Sequence, residues 1–155
     1  MNFKKLPFLL IILSLALFTA CGSLTDDENN DSGPDYAITI VGQYSFTTYS
    51  NNQQTGSGNA IISKLSNNKI LIGTDQGIQL EAVIIESTGN GLAFEIPDQN
   101  QNYYNIPAVI SGTGLVSNGN TLNDAFYFSG TGQLRASIQI KYSTSTDAVI
   151  LELDR

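Results

Sequence analysis

The chain of 155 residues has no histidine, no tryptophan and a single cysteine, Cys21, and each shortage removes a class of chemistry. Without histidine there is no Ser-His-Asp or Cys-His relay, and the commonest nitrogen ligand for a metal is missing. With neither a tryptophan nor a cysteine pair, an immunoglobulin-type core lacks its central parts. Bases are scarce too. Beyond Lys4 and Lys5 only Lys64, Lys69, Arg135, Lys141 and Arg155 remain, against fourteen acids, a net charge of −9 for the chain from Cys21 onward. Such a surface repels phosphate backbones, so nucleic acid is excluded as a partner. From residue 36 onward no stretch keeps apolar residues at a spacing of three and four, which predicts almost no helix.

What is present begins with fifteen apolar or small residues, Leu6 to Ala20, behind Lys4 and Lys5. A charged start, an apolar run and small residues before a cut are the parts of a secretory signal. The run is shorter than the ~20 residues that span a bilayer. The order Leu17-Phe18-Thr19-Ala20-Cys21 resembles a bacterial lipobox, where a diacylglycerol is joined to the cysteine sulfur and the chain is cut before it. The resemblance implies that residues 1–20 are a lipoprotein signal peptide and that Cys21 carries the lipid anchor, with a further acyl chain such as palmitate. Each buried methylene adds ~0.8 kcal/mol, so two or three chains hold a protein on a membrane permanently. Lipidation also accounts for an unpaired thiol in an exported chain.

Residues 21–35 hold one large apolar side chain, Leu24, and five acids. They bury too little apolar surface to offset ordering, which predicts a flexible acidic tether. Asp26-Asp27-Glu28 resembles the export signal of Bacteroidetes-type lipoproteins, implying an outer-membrane, surface-exposed location. Oxygens alternate from Asp27 to Asp31 as in a calcium loop, but Ser32 and Ile38 stand where Gly and Glu are required. Neither metal nor cofactor is expected.

Residues 36–155 suffice for one core. Turn residues interrupt them about every ten positions, the pattern of an all-β domain. The alternation predicts strands over 37–49, with Ile38, Ile40, Tyr44 and Phe46 on one face, then 59–65, 69–74, 78–86 and 92–96. A polar loop is expected over Asp98–Asn105, then strands at 106–117, 122–129, 133–142 and 148–154. Short connections favour antiparallel neighbours, and closing the sheet removes its edges. The prediction is an antiparallel up-and-down β-barrel of about eight strands, with a Greek-key β-sandwich as the alternative. Gly56-Ser57-Gly58 and the two Ser-Gly-Thr-Gly runs, Ser111–Gly114 and Ser129–Gly132, lack a following helix and lysine, so they are read as strand bends rather than phosphate loops.

Gly42-Gln43-Tyr44, Phe94-Glu95-Ile96-Pro97 and Ile110-Ser111-Gly112-Thr113-Gly114 together resemble the small calycin or lipocalin-like lipoproteins of Bacteroidetes. That resemblance implies an eight-stranded barrel whose interior holds a small apolar molecule. Tyr44, Phe46, Phe94, Phe126, Phe128 and Tyr142 are the side chains positioned to line such a cavity, or else to fill it as core. Tyr103 and Tyr104, amid amides, suit stacking on a sugar or a partner protein, or else one of them packs against the barrel rim. The carboxylates show no converging pair of the kind glycoside hydrolysis needs, so no enzyme activity is expected. Two readings follow: a membrane-anchored lipocalin-like protein binding a small apolar ligand, or an anchored interaction or structural lipoprotein with a filled core that contacts glycan or protein through its loops. Under either, Cys21→Ala is expected to move the protein from the membrane fraction to a soluble one. Cell fractionation checks this, and membrane retention of the variant would refute lipidation.

Overall fold

A computed structural model describes residues 33–103, 105–117, 120–121 and 123–155. The signal segment, Cys21 and the tether up to residue 32 lie outside the described residues. After a 3-10 turn at Ala37–Thr39 come β1 (Gly42–Ser50), β2 (Gln53–Ser66), β3 (Lys69–Thr74), β4 (Gln79–Thr88), β5 (Gly91–Glu95), β6 (Gln99–Tyr103) and β7 (Ile106–Gly112). Then follow β8 (Val116–Ser117), β9 (Asn120–Thr121), β10 (Ala125–Phe128), β11 (Gln133–Lys141) and β12 (Thr146–Asp154). All described pairings are antiparallel, and β1 pairs with both β2 and β12. The sheet closes through β5, β10 and β11.

Eight staves make the closed wall, in up-and-down order, and the Greek-key alternative is thereby set aside. The fifth stave is β5 continued by β6; the sixth is β7 continued by β10, since both lie along one edge of β11. Between the two halves of the sixth stave the chain leaves the wall and returns, carrying the small β8–β9 pair outside the barrel. No helix among the described residues is long and apolar enough to cross a membrane.

Strand chemistry follows residue by residue. In β11, Leu134, Ala136, Ile138 and Ile140 point inward, each at most 1 % exposed, while Gln133, Arg135 and Lys141 face out. The β1–β2 hairpin turns on Asn51 and Asn52, both at positive φ (51° and 62°), the turn whose twist matches paired strands. β3 spans the predicted 69–74, and Pro97, which has no N–H to donate, follows the end of β5.

Three expectations are corrected. The first strand does not begin at Ala37: residues 37–39 form the 3-10 turn, leaving Ile38 61 % exposed while Ala37 and Ile40 are buried in the core. Gly33–Asp35 of the expected tether belong to the folded body, with the Asp35 carboxylate 2.6 Å from the Lys64 ammonium and Asn67 donating to the Gly33 carbonyl. That hydrogen bond from Lys64 is the main reason the Asp35 carboxyl sits below its ordinary range. The expected polar loop at 98–105 is largely strand β6, paired with β7 from Gln99↔Ile110 to Tyr103↔Ile106.

Two breaks in the wall are closed by side chains. Beside β6, strand β4 has no backbone ladder at its first residues. Gln99 replaces one, its amide oxygen accepting from the Glu81 N–H at 2.8 Å and its nitrogen donating to the Glu81 carbonyl at 2.6 Å. Gln101 accepts from the Gln79 N–H at 3.2 Å. Where the sixth stave is interrupted, the Asp124 carboxylate accepts from the Ile96 N–H (2.9 Å) and the Gly114 N–H (3.0 Å). The Ser137 backbone bonds both sides of the gap, to the Asp124 carbonyl and the Thr113 N–H. Gly112 makes room: a Cβ there would overlap the Asp124 side chain. Gly58 does the same for Asp75, which accepts from the Asn59 N–H at 2.9 Å. So Gly112 and Gly58 admit a carboxylate rather than bending a strand.

Replacing Gln99 by Leu strips both partners from Glu81 and is expected to cost about 1–3 kcal/mol, with faster hydrogen exchange at the Glu81 amide. Asp124→Ala, which removes a charged acceptor from two N–H groups, is expected to cost about 3 kcal/mol. Denaturant unfolding checks both, and wild-type midpoints for the pair would show that the two breaks contribute nothing.

Candidate functional site

Tyr44, Phe46 and Phe94 point into the barrel, 3 %, 1 % and 0 % exposed, within one continuous apolar cluster. Their cross-strand neighbours are small: Tyr44 lies opposite Ala60, Phe46 opposite Gly58 and Phe94 opposite Ala125. Opposite Ala60 and Ala125 a large ring thus meets a small side chain, as in the packed interior of a narrow barrel, while the space left at Gly58 holds the Asp75 carboxylate.

Phe126 and Phe128 do not join them. In β10 it is Ala125 and Tyr127 that turn inward, while Phe126 is half-buried and Phe128 is 38 % exposed on the outer wall. Their rings touch each other there, centroids 4.8 Å apart. The expected face was reversed because the register with β11 places Ala125 opposite Ala136 and Tyr127 opposite Leu134, both inward residues. Tyr142, just past β11, and Tyr103, at the end of β6, are partly buried and pack on the edge of the core. Tyr103 thus takes the second of its two expected settings, packed at the rim of the barrel; Tyr104 and Cys21 lie outside the described residues.

One end of the barrel is plugged by the 3-10 turn. The Tyr44 hydroxyl donates to the Ile40 carbonyl at 2.6 Å, and the Arg155 guanidinium lies 5.9 Å from the centre of the Tyr44 ring. Arg155 also donates to the Thr39 and Val41 carbonyls, tying the last strand to the turn. Burial raises the Tyr44 phenol above its ordinary range, with the Arg155 charge acting the other way.

Among the described residues, concavities of about 380–450 Å³ open on the outer wall, and one of about 440 Å³ lies at the break in the sixth stave, lined by Phe94 and Asp124 among others. One follows the outward row of β12. Its floor is Ala148 and Ile150; Tyr49 and the Asn51-Asn52 turn rise on one side, Arg135 and Ser137 on the other, with Glu152 at the end. Register brings them together, since Tyr49 and Ser137 both flank Ile150 and Arg135 flanks Glu152. Arg135 Nε stands 3.1 Å from Glu152 Oε1. This groove, of about 410 Å³, combines an aromatic side chain, two amides and a neutralised ion pair. Sequence reading did not find it, because its parts come from β1, β11 and β12 and no linear motif joins them. A second concavity lies on the β6–β7 hairpin, with Asn100, Gln101 and Asn102 beside Pro107, Ala108 and Val109. Another, lined by Ile61, Leu71 and Gly73 among others, crosses β2 and β3. Among the described residues no group of three His, Cys, Asp or Glu side chains is arranged to hold a metal ion.

Comparison with protein-family models, curated proteins and solved structures finds no match to this chain.

The pH dependence follows from Tyr44. Its folded value is raised, so its contribution is fully present below the unfolded value of about 10 and is lost as pH rises from there through the folded value. Wild-type protein is expected to lose stability above about pH 10, and Tyr44→Phe to lose measurably less over the same window, in thermal melts at stepped pH. Parallel pH profiles for the two proteins would refute the assignment.

Proposed function

We propose that this protein is a lipoprotein, anchored through acylated Cys21 in the outer membrane and exposed at the cell surface, whose barrel is a non-catalytic scaffold for contact with a partner at its outer wall. The observation that carries this reading is the complementary filling of the interior: Tyr44 and Phe94 opposite Ala60 and Ala125. A lipocalin-like container for a small apolar molecule needs an interior cavity of roughly 300 Å³ or more. Among the described residues, concavities of that size open on the outer wall over β12, the β6–β7 hairpin and β2–β3. The lipobox-like Leu17–Cys21 segment and the acidic residues after it support the anchor and its placement. Glycan and protein are the partner classes that an outer wall with amides and aromatic residues suits.

Native mass spectrometry of the Cys21→Ala protein, which lacks acyl chains, tests the reading in its own host. The expected spectrum is the bare polypeptide. A stoichiometric apolar adduct would overturn the filled-scaffold reading and restore the container.

A further inference from the structure

We infer that the β1–β12–β11 groove is a binding site for an uncharged sugar, a mono- or disaccharide or the end of a longer glycan. The inference rests on the outer-wall reading above and names the partner class for one place on it.

The chemistry of the lining selects the ligand. Tyr49 lies beside Ile150, its cross-strand partner on the same outward face, and together they offer an apolar surface for the C–H face of a pyranose ring. Around this surface stand groups that both donate and accept. Asn51 and Asn52 each bring an amide N–H₂ and a carbonyl oxygen, matching hydroxyls that themselves do both. Both residues hold positive φ in a two-residue hairpin loop, so the backbone that carries these amides is set by the turn.

Charge decides against the competing ligands. Arg135 uses its Nε on Glu152, and its side chain is 47 % exposed, so terminal N–H groups remain as hydroxyl donors in a locally neutral pair. An anionic ligand would meet the Glu152 carboxylate and a chain with seven more acids than bases. A cation would meet the Arg135 guanidinium. A protein partner needs about 800 Å² on each side, whereas here the polar groups converge on a recess of about 410 Å³, the size of a small-molecule site.

The test is a titration of ¹⁵N-labelled Cys21→Ala protein with neutral sugars (glucose, galactose, mannose, N-acetylglucosamine and disaccharides of each), followed by amide shifts. For at least one sugar, saturable shifts are expected at Tyr49, Asn51, Asn52, Ile150 and Arg135, with a Kd in about the millimolar range. Tyr49→Ala is expected to weaken binding about tenfold or more, and Tyr49→Phe, which keeps the ring, to change it little. Leu65→Ala, at an exposed position of β2 outside the groove, serves as a control. No saturable shift with any sugar of the panel, shifts confined to another face, or equal affinity for Tyr49→Ala would overturn the inference. A partner engaged at another part of the wall would sink the sugar site and leave the scaffold reading standing; an apolar adduct inside the barrel would sink the scaffold reading.

Discussion

A sheet that closes on itself must satisfy every backbone donor and acceptor along its edges, and this barrel meets that constraint at two places where the strands themselves fail. The sixth stave is interrupted by the excursion that carries β8 and β9, and the fifth diverges from β4 after Pro97. At both places backbone polar groups are left where the ladder should continue, and leaving one buried and unpaired costs about 1–3 kcal/mol. Asp124 and Gln99 supply the missing partners. An amide side chain presents one donor and one acceptor side by side, as a peptide group does, so Gln99 bonds both groups of Glu81 where a neighbouring strand would have done so. A carboxylate offers acceptors only, which suits the junction where two N–H groups, of Ile96 and Gly114, need them.

The same closure shapes what the protein can do. Tilted strands around a narrow barrel leave an interior that side chains just fill. Rings opposite alanine complete the filling, and the 3-10 turn held by Arg155 closes one end. Binding capacity therefore moves to the outer surface, where neighbouring staves put residues far apart in sequence into register. Tyr49, Ile150 and Ser137 are adjacent across three strands although about a hundred residues separate the first from the other two. A filled barrel is a rigid platform for such groups, since their backbone is fixed by ladders on both sides.

Much of the architecture was legible because the inner wall writes itself as a period of two. β11 and β3 are read almost to the residue: Leu134, Ala136, Ile138 and Ile140 alternate cleanly, and turn residues bound 69–74. β6 was illegible for a physical reason. Its inner positions are Gln99 and Gln101, which face the open edge of β4 rather than the core, so the alternation is amide with amide and carries no hydropathy signal. β10 was misread by face because Phe126, Tyr127 and Phe128 are all apolar and only the pairing with β11 chooses among them. The start of the first strand failed similarly, since Ile38 and Ile40 are two apart in a strand pattern but a 3-10 turn rotates Ile38 into solvent. The site was less legible than the fold. Aromatic residues were correctly placed in the interior at Tyr44, Phe46 and Phe94, whereas the groove depends on register between the first and last staves, which no local motif encodes.

Stability and contact are carried by different side chains, and this separation follows from the magnitudes. The three ion pairs of the described residues, Lys64–Asp35, Lys69–Glu81 and Arg135–Glu152, all have at least one partner more than a third exposed. Pairs in that setting are screened by solvent and contribute little to stability. Removing a fully buried ring such as Phe94 costs about 3–5 kcal/mol, because the cavity it leaves opposite Ala125 cannot collapse between hydrogen-bonded strands. Folding is thus governed by the inward row and the two side-chain bridges, while Arg135, Glu152 and the Asn51-Asn52 turn can be tuned to a ligand with little effect on whether the barrel forms. Tyr49 belongs to this tunable outer set: it lies beside the register shift where Thr55 of β2 is left out of the pairing, Thr48 facing Gly56 and Tyr49 facing Gln54. A bulge shifts the pairing without breaking the sheet, and because the extra residue belongs to β2, β1 keeps its register with β12 through Tyr49↔Ile150, the pair that gives the groove its aromatic ring and its apolar neighbour.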